Sequence, residues 1–218
     1  MREILRLADR ATQMTVGLFT VDLPAADGRT RFDPSGLVKT WAARRAFALL
    51  MTIPGVDVCL NAGGDVALSP VTPDRCWRIG IEEPGTGGPL GVVAMTGGAM
   101  ATSGTAARGG HIVDPRTGRA PSVLRQVSVL GPELLWADVL ATAAFVAGDA
   151  ALDLVAAYPG YEAVVVTSAG QARRTTGLPL QAPGLARGLE AAMVTDRDRV
   201  GPDALRGRAR DASHRVLA

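Results

Sequence analysis

From Leu134 to Ala147 the chain is apolar at every position except Asp138 and Thr142. Such a run is too short to cross a membrane, which takes about 20 residues, and too uniform for a surface helix, whose outer face is polar. It therefore reads as a helix buried nearly all round, and any fold the chain adopts has to supply packing layers on opposite sides of it. Asp138 is the anomaly. A carboxylate left charged and unpaired in such surroundings is costly, so it needs a cation, a set of strong donors or a raised pKa. Asp138 and Thr142 lie one helical turn apart and present a carboxylate and a hydroxyl oxygen to one point. Oxygen ligands with little protein charge suit Mg²⁺ better than zinc, with water or phosphate completing the shell. The alternative is a buried aspartate that caps a loop or pairs with Lys39 or an arginine.

Lys39 stands out for a different reason. The chain has 22 arginines and this one lysine, so a compact ammonium is used where a wide guanidinium would otherwise stand. It falls in the first turn of the helix expected over LVKTWAARRAFALLM, with Ser35 as N-cap and Pro54-Gly55 as terminator. A cation there opposes the helix dipole unless an anion is close by. The other reading is a residue on a solvated face.

The remaining pattern gives an α+β chain. Ile4, Leu5, Ala8 and Ala11 have helical spacing, Val56, Val58 and Leu60 alternate, and Trp77–Ile81, Leu90–Met95 and Val127–Val129 read as further strands. Val164–Thr167 and Gln171–Thr175 read as a hairpin through Ala169-Gly170. The long apolar helix is expected to break at Gly148-Asp149, with Asp149 capping the second piece. Asn61-Ala62-Gly63-Gly64-Asp65 follows a strand; paired glycines there admit close backbone approach to a ligand, or simply make a turn.

Ala99–Gly118, AMATSGTAARGGHIVDPRTG, carries Thr102, Ser103, Thr105, His111 and a D-P-x-T-G turn on very little apolar content. It reads as a ligand-binding loop. His111 is a candidate donor or base because Ser103, Asp114 and Thr117 are near in sequence; otherwise it is a surface histidine. There is no G-x-S-x-G elbow, P-loop or G-x-G-x-x-G, so a nucleotide would be held by some other device.

With 218 residues, 20% of them charged and a net charge of +2, one domain is the simplest reading. The expectation is a single domain over 1–178 and an Arg/Gly-rich tail over 179–218, helical and loosely attached or disordered. Arg206, Arg208, Arg210 and Arg215 in that tail read as solvated charge rather than a nucleic-acid patch. Cys59 and Cys76 form no metal or disulfide spacing and are expected to be buried thiols. Neither an export signal nor a membrane span is apparent, so the chain is expected to be cytoplasmic.

Four blocks in order, DPSGLVKTWAARRA, LNAGGDVAL, ATSGTAARGGHIVDPRTG and WADVLATAAF, resemble the ApbE family of flavin transferases over about residues 15–177. The resemblance implies a T-fold-like arrangement, an antiparallel or mixed sheet with helices on one face. It implies the transfer of FMN from FAD to a Thr or Ser of a target flavoprotein, with Mg²⁺ required and AMP released. A degenerate flavin- or partner-binding module and an FAD pyrophosphatase are the alternatives. By matching position, Asp33 and Lys39 lie against FAD, while the Gly36 carbonyl, Asp138 and Thr142 hold Mg²⁺. Asn61, Gly63, Gly64 and Asp65 approach the nucleotide, as do Thr102, Ser103, Val113 and Asp114, and His111 is the candidate for proton transfer. Thr40 stands where the family usually has glycine after the lysine, and Thr105 where it often has an acid. The N-terminal segment that supplies part of the flavin cleft in relatives is expected to be shortened here; the relatives are often exported.

Overall fold

The computed structural model describes residues 1–25, 28–72, 74–105 and 112–182. The apolar run forms α3 (Leu134–Ala147), and the rest is arranged in layers around it. Beneath α3 lies a six-stranded sheet in the order β10-β9-β8-β7-β4-β3. Its strands are β3 (Cys59–Ala62), β4 (Asp65–Leu68), β7 (Gly98–Gly104), β8 (Leu124–Gly131), β9 (Glu162–Thr167) and β10 (Ala172–Arg174), and every neighbouring pair is antiparallel. Above α3 lie α1 (Arg2–Met14) and α2 (Ser35–Leu50), while the short α4 (Ala151–Ala156) follows it across β9.

The alternation of strand residues decides what each face packs against. Ala67, Ala99, Ala101, Val127, Val129, Ala163 and Val165 meet Ala137, Leu140, Ala141, Ala144 and Phe145 of α3. Small residues on β4 and β7 let the helix axis approach the sheet closely. From the opposite sheet face Val66, Leu68, Met100, Leu130 and Val164 pack on Ile79, Ile81 and Val93. Those three belong to a second sheet, ordered β11-β6-β5, made of β5 (Trp77–Glu82), β6 (Pro89–Met95) and β11 (Leu180–Gln181). The other side of α3, through Leu135, Trp136, Val139 and Ala143, closes on Ile4, Ala8 and Ala11 of α1 and Leu37 of α2. Leu134–Ala156 is long and apolar enough to cross a membrane by composition alone, but its first fourteen residues are the centre of these layers.

The first helix is held at several points. Arg10 sits over the Trp136 ring at 4.6 Å, Arg45 meets Glu3 at 3.2 Å, and the Tyr158 hydroxyl donates to the Met14 carbonyl. Thr15, fully buried, donates to the Ala11 carbonyl at 2.7 Å and accepts the Phe19 amide at 3.0 Å. That one hydroxyl fixes how the chain leaves α1 and enters a small hairpin of β1 (Asp22–Pro24) and β2 (Thr30–Phe32).

Several sequence expectations need correction. Ala99–Gly118 is not one loop: its first part is β7, with Ala99, Met100 and Ala101 buried at the middle of the sheet. The short side chains of Ala99 and Ala101 suit contact with α3, and their low hydrophobicity disguised the strand. Ser35 is the first helical residue rather than the cap; Pro34 takes the cap position and the Asp33 carboxylate accepts the Ser35 amide at 3.1 Å. Asp149 lies inside a 3₁₀ turn (Gly148–Ala150) and makes no cap bond to α4. Cys59 and Cys76 are both exposed, because β3 is an edge strand and Cys76 precedes the core-facing Trp77 of β5. Leu180 and Gln181 are ordered on Val93 and Val92 of β6, inside the expected tail; residues 183–218 lie outside the described residues.

Gly104, the glycine of the Thr102-Ser103-Gly104 run, is fixed by strand packing. A Cβ there would stand 2.7 Å from the Arg125 carbonyl oxygen of β8. Gly104→Ala is expected to lower stability by about 1–3 kcal/mol through overpacking, measured by urea unfolding.

Candidate active site

The layers leave a cavity where the N-terminal end of α2, the Asp138 side of α3 and the end of β7 converge. Asp33, Ser35, Gly36 and Lys39 line it from the start of α2, Asp138 and Thr142 from α3, and Thr102, Ser103 and Gly104 from β7. Gly63 enters from the β3–β4 turn, Ile112, Val113 and Pro115 from the segment after β7, and Leu18, Phe19, Thr20 and Leu23 from the exit of α1. Residues expected at one site from four separated blocks are thereby brought together.

Asp138 is 6% exposed in a helix that is otherwise apolar but for Thr142. Its Oδ2 accepts a hydrogen bond from Thr40 Oγ1 at 3.0 Å. Thr142, the less buried of the two, places its hydroxyl 3.0 Å from Ser103 Oγ. Among the described residues no cluster of three or more His, Cys, Asp or Glu side chains is placed to hold a metal. The chemistry that remains, one carboxylate, one hydroxyl and the Gly36 backbone around one cavity, fits a hard cation that brings several oxygen ligands of its own. Mg²⁺ bound through one carboxylate plus substrate phosphate is that case.

The anion that Lys39 requires is Asp65. The Lys39 ammonium pairs with Asp65 Oδ2, while Asp65 Oδ1 accepts the Thr102 amide at 3.0 Å. Pairing of β4 with β7 stops at Val66↔Met100, so the side chain of Asp65 continues the ladder by one bond and satisfies the part-buried Thr102 amide. Asp65 is only 1% exposed, whereas the lysine side chain keeps 32% exposure on the cavity side. Gly63 and Gly64, at φ 66° and 97°, form the two-residue turn between β3 and β4, as expected when both central residues need positive φ. Asn61 stabilises this turn by accepting the Gly64 amide at 2.8 Å. The glycine pair is thus a hairpin turn whose first member also reaches the cavity.

The other expected residues divide. Asp33 lines the cavity, and its carboxyl is held below the usual range by hydrogen bonding from Ser35, side chain first and then backbone, with Arg31 adding charge against a small desolvation penalty. Asn61, Gly64, Asp65 and Asp114 do not line it. Asp114 instead organises the D-P-R-T-G turn: it takes Nε and Nη2 of Arg116 at 3.0 and 2.8 Å and the Arg116 amide at 2.9 Å, and bridges to Arg119. The Arg116 guanidinium holds the Asp114 carboxyl below the usual range, against partial desolvation. His111 lies outside the described residues.

Sequence reasoning missed Thr40 as a partner of Asp138, and it missed the Leu18–Thr20 wall. A threonine on the inner face of α2 looks like any helical residue until α3 is laid against it. The wall had a faint signal in Gly17 just past the first helix.

Comparison with known proteins agrees with this architecture. The ApbE family model matches residues 2–165, and the chain belongs to the ApbE family. Its curated relatives include an FAD:protein FMN transferase of Rhodobacter capsulatus, 34% identical over 172 residues, covering 75% of this chain and 32% of that protein. An FAD:protein FMN transferase of Treponema pallidum is 34% identical over 114 residues, covering 47% of this chain and 32% of the relative. The chain therefore spans about a third of the length of the curated relatives it matches. Among solved structures, the ApbE protein of Thermotoga maritima has a TM-score of 0.69 at 22% identity, over 80% of this chain and 75% of that one. The flavinyl transferase ApbE of Pseudomonas stutzeri has 0.66 at 21%, over 80% and 72%. At these identities the structures establish the fold.

Lys39→Met leaves the Asp65 carboxylate buried without its cation. The variant is expected to lose about 2 kcal/mol, and Lys39→Met/Asp65→Asn to recover most of it, as read by denaturant midpoints. Arg116 gives a pH test. Because its contacts favour the charged Asp114, their stabilisation is complete above about pH 4 and disappears as pH falls through the lowered value. In Arg116→Ala the Asp114 carboxyl should titrate at higher pH than in the wild type, followed by carboxyl ¹³C shifts.

Proposed function

We propose that this chain transfers FMN from FAD to a Thr or Ser hydroxyl of an acceptor flavoprotein, in a Mg²⁺-dependent reaction that releases AMP. The observation that carries this reading is the meeting of Asp138, Thr142, Gly36 and Lys39 around one cavity in an ApbE-family chain. The name shared by the two curated relatives supports it further.

In this reading the acceptor oxygen attacks the FMN-side phosphorus, the bond from that phosphorus to the bridging oxygen breaks, and AMP leaves with the bridging oxygen. Asp138, Thr142 and the Gly36 carbonyl would hold Mg²⁺, which when bound would supply charge neutralisation at the pyrophosphate. Lys39, fixed by Asp65, presents an ammonium to the phosphates without searching among rotamers, so positioning is settled before the substrate arrives. The amide groups near the start of α2 and the backbone at Val113 border the same space. Leu18, Phe19 and Leu23 give an apolar wall that shields the nucleotide from water and suits a flat aromatic ring. The acceptor proton needs a base, and His111 is the nominee.

The test is incubation of the protein with FAD, Mg²⁺ and a threonine-bearing acceptor domain, followed by flavin fluorescence of the denatured acceptor. The expected result is a fluorescent acceptor, with transfer reduced at least about a hundredfold in Asp138→Ala or with EDTA. Bound FAD with a dark acceptor and no AMP would identify a binding module. AMP with free FMN would identify a pyrophosphatase.

A further inference from the structure

The two α3 side chains that face the cavity are each engaged by a hydroxyl from a different element. Thr40 of α2 is fully buried and donates to Asp138 Oδ2 at 3.0 Å; its other acceptor, the Leu37 carbonyl, is more distant at 3.4 Å. A hydroxyl has one proton, and a carboxylate is the stronger acceptor. Ser103 of β7, 7% exposed, lies 3.0 Å from Thr142 Oγ1. We infer that Thr40 and Ser103 are positioning residues for the cation site, Thr40 by fixing the plane of the Asp138 carboxylate and Ser103 by accepting a hydrogen bond from the Thr142 hydroxyl.

Both roles rest on the reading that Asp138 and Thr142 hold Mg²⁺. A carboxylate on one helix can rotate about its Cβ–Cγ bond, and a donor on one oxygen removes most of that freedom before a cation arrives. Thr40 comes from the helix that also carries Gly36 and Lys39, so the bond ties α2 to α3 at the point where their ligands must agree. For Thr142 the reasoning is one of valence. A hydroxyl that gives a lone pair to a cation must send its hydrogen elsewhere, and Ser103 Oγ stands within reach. Cation binding therefore sets the direction of a bond that is otherwise free to run either way. Ser103 is itself tied to the sheet opposite Val127 of β8, so both supporting hydroxyls stand on rigid elements. Outer partners of this kind commonly change metal affinity by about 10–100-fold when removed.

The experiment titrates Mn²⁺, as an EPR-visible stand-in for Mg²⁺, into the full chain in the presence of FAD. Thr40→Val keeps shape and removes the donor, Thr40→Ser keeps the donor, and Asp138→Asn is the control for the site. The expected result is affinity reduced about tenfold or more in Thr40→Val and Ser103→Ala, and restored in Thr40→Ser, with thermal unfolding showing each variant folded. Asp138→Asn should abolish the tight site. Unchanged affinity in both Thr40→Val and Ser103→Ala, with Asp138→Asn still defective, would overturn the positioning roles while leaving the metal reading intact. Equal losses in Thr40→Val and Thr40→Ser would overturn the role of the donor at Thr40. Wild-type affinity in Asp138→Asn would overturn the metal reading itself, and this inference with it.

Discussion

Burying the Asp138 carboxylate inside α3 governs much of the architecture. Sealing an apolar helix on both sides takes a sheet face of small residues below and two helices above. Ala99, Ala101 and Ala67 let the sheet approach, and Leu37, Ala8 and Ala11 close the top. Charge can be admitted only where those layers part. That gap opens beside Asp138 and Thr142, and it is bounded by elements that carry polar groups of their own. The cavity is thus a consequence of how α3 is packed, rather than a pocket added to a finished core.

A second buried carboxylate, Asp65, does different work. It is satisfied by the Lys39 ammonium and the Thr102 amide, so its charge serves the structure. Asp138 accepts a hydroxyl hydrogen bond on Oδ2 and lines the cavity. A hydroxyl donor removes part of the desolvation cost of a carboxylate. The two aspartates therefore mark two solutions to one problem. One is closed by an ion pair that also aims the lysine, and the other is steadied at the cavity wall.

Legibility in the sequence followed the strength of the physical signal. Asp138 and Thr142 could be read because a polar residue in a run of apolar ones is expensive wherever the run folds. The need of Lys39 for an anion could also be read, from its place near a helix start, but the partner could not: Asp65 is 26 positions away, and nothing local distinguishes it from a turn aspartate. The β9–β10 hairpin was visible in its glycine turn and its run of valines. By contrast β7, with Gly98, Ala99 and Ala101, has the composition of a loop and becomes a central strand only because the facing helix demands small side chains. Thr40 illustrates the same limit, since its meaning depends on a contact 98 positions away in the chain.

The charge balance of the cavity bears on the order in which ligands would assemble. Lys39 is paired to Asp65, so its ammonium is partly committed before any phosphate arrives. One carboxylate with a hydroxyl and a carbonyl is a weak set for Mg²⁺, which keeps several of its waters and gains most from phosphate oxygens. In the proposed reaction FAD would carry those oxygens, and a cation would stand between its pyrophosphate and the Asp138 side chain. In the proposed reaction, cation and nucleotide would each make the site more favourable for the other, and by linkage their affinities would rise together. Rigid support for the two α3 side chains would then matter more than in a cage of several carboxylates, because few protein bonds would hold the geometry that the phosphates complete.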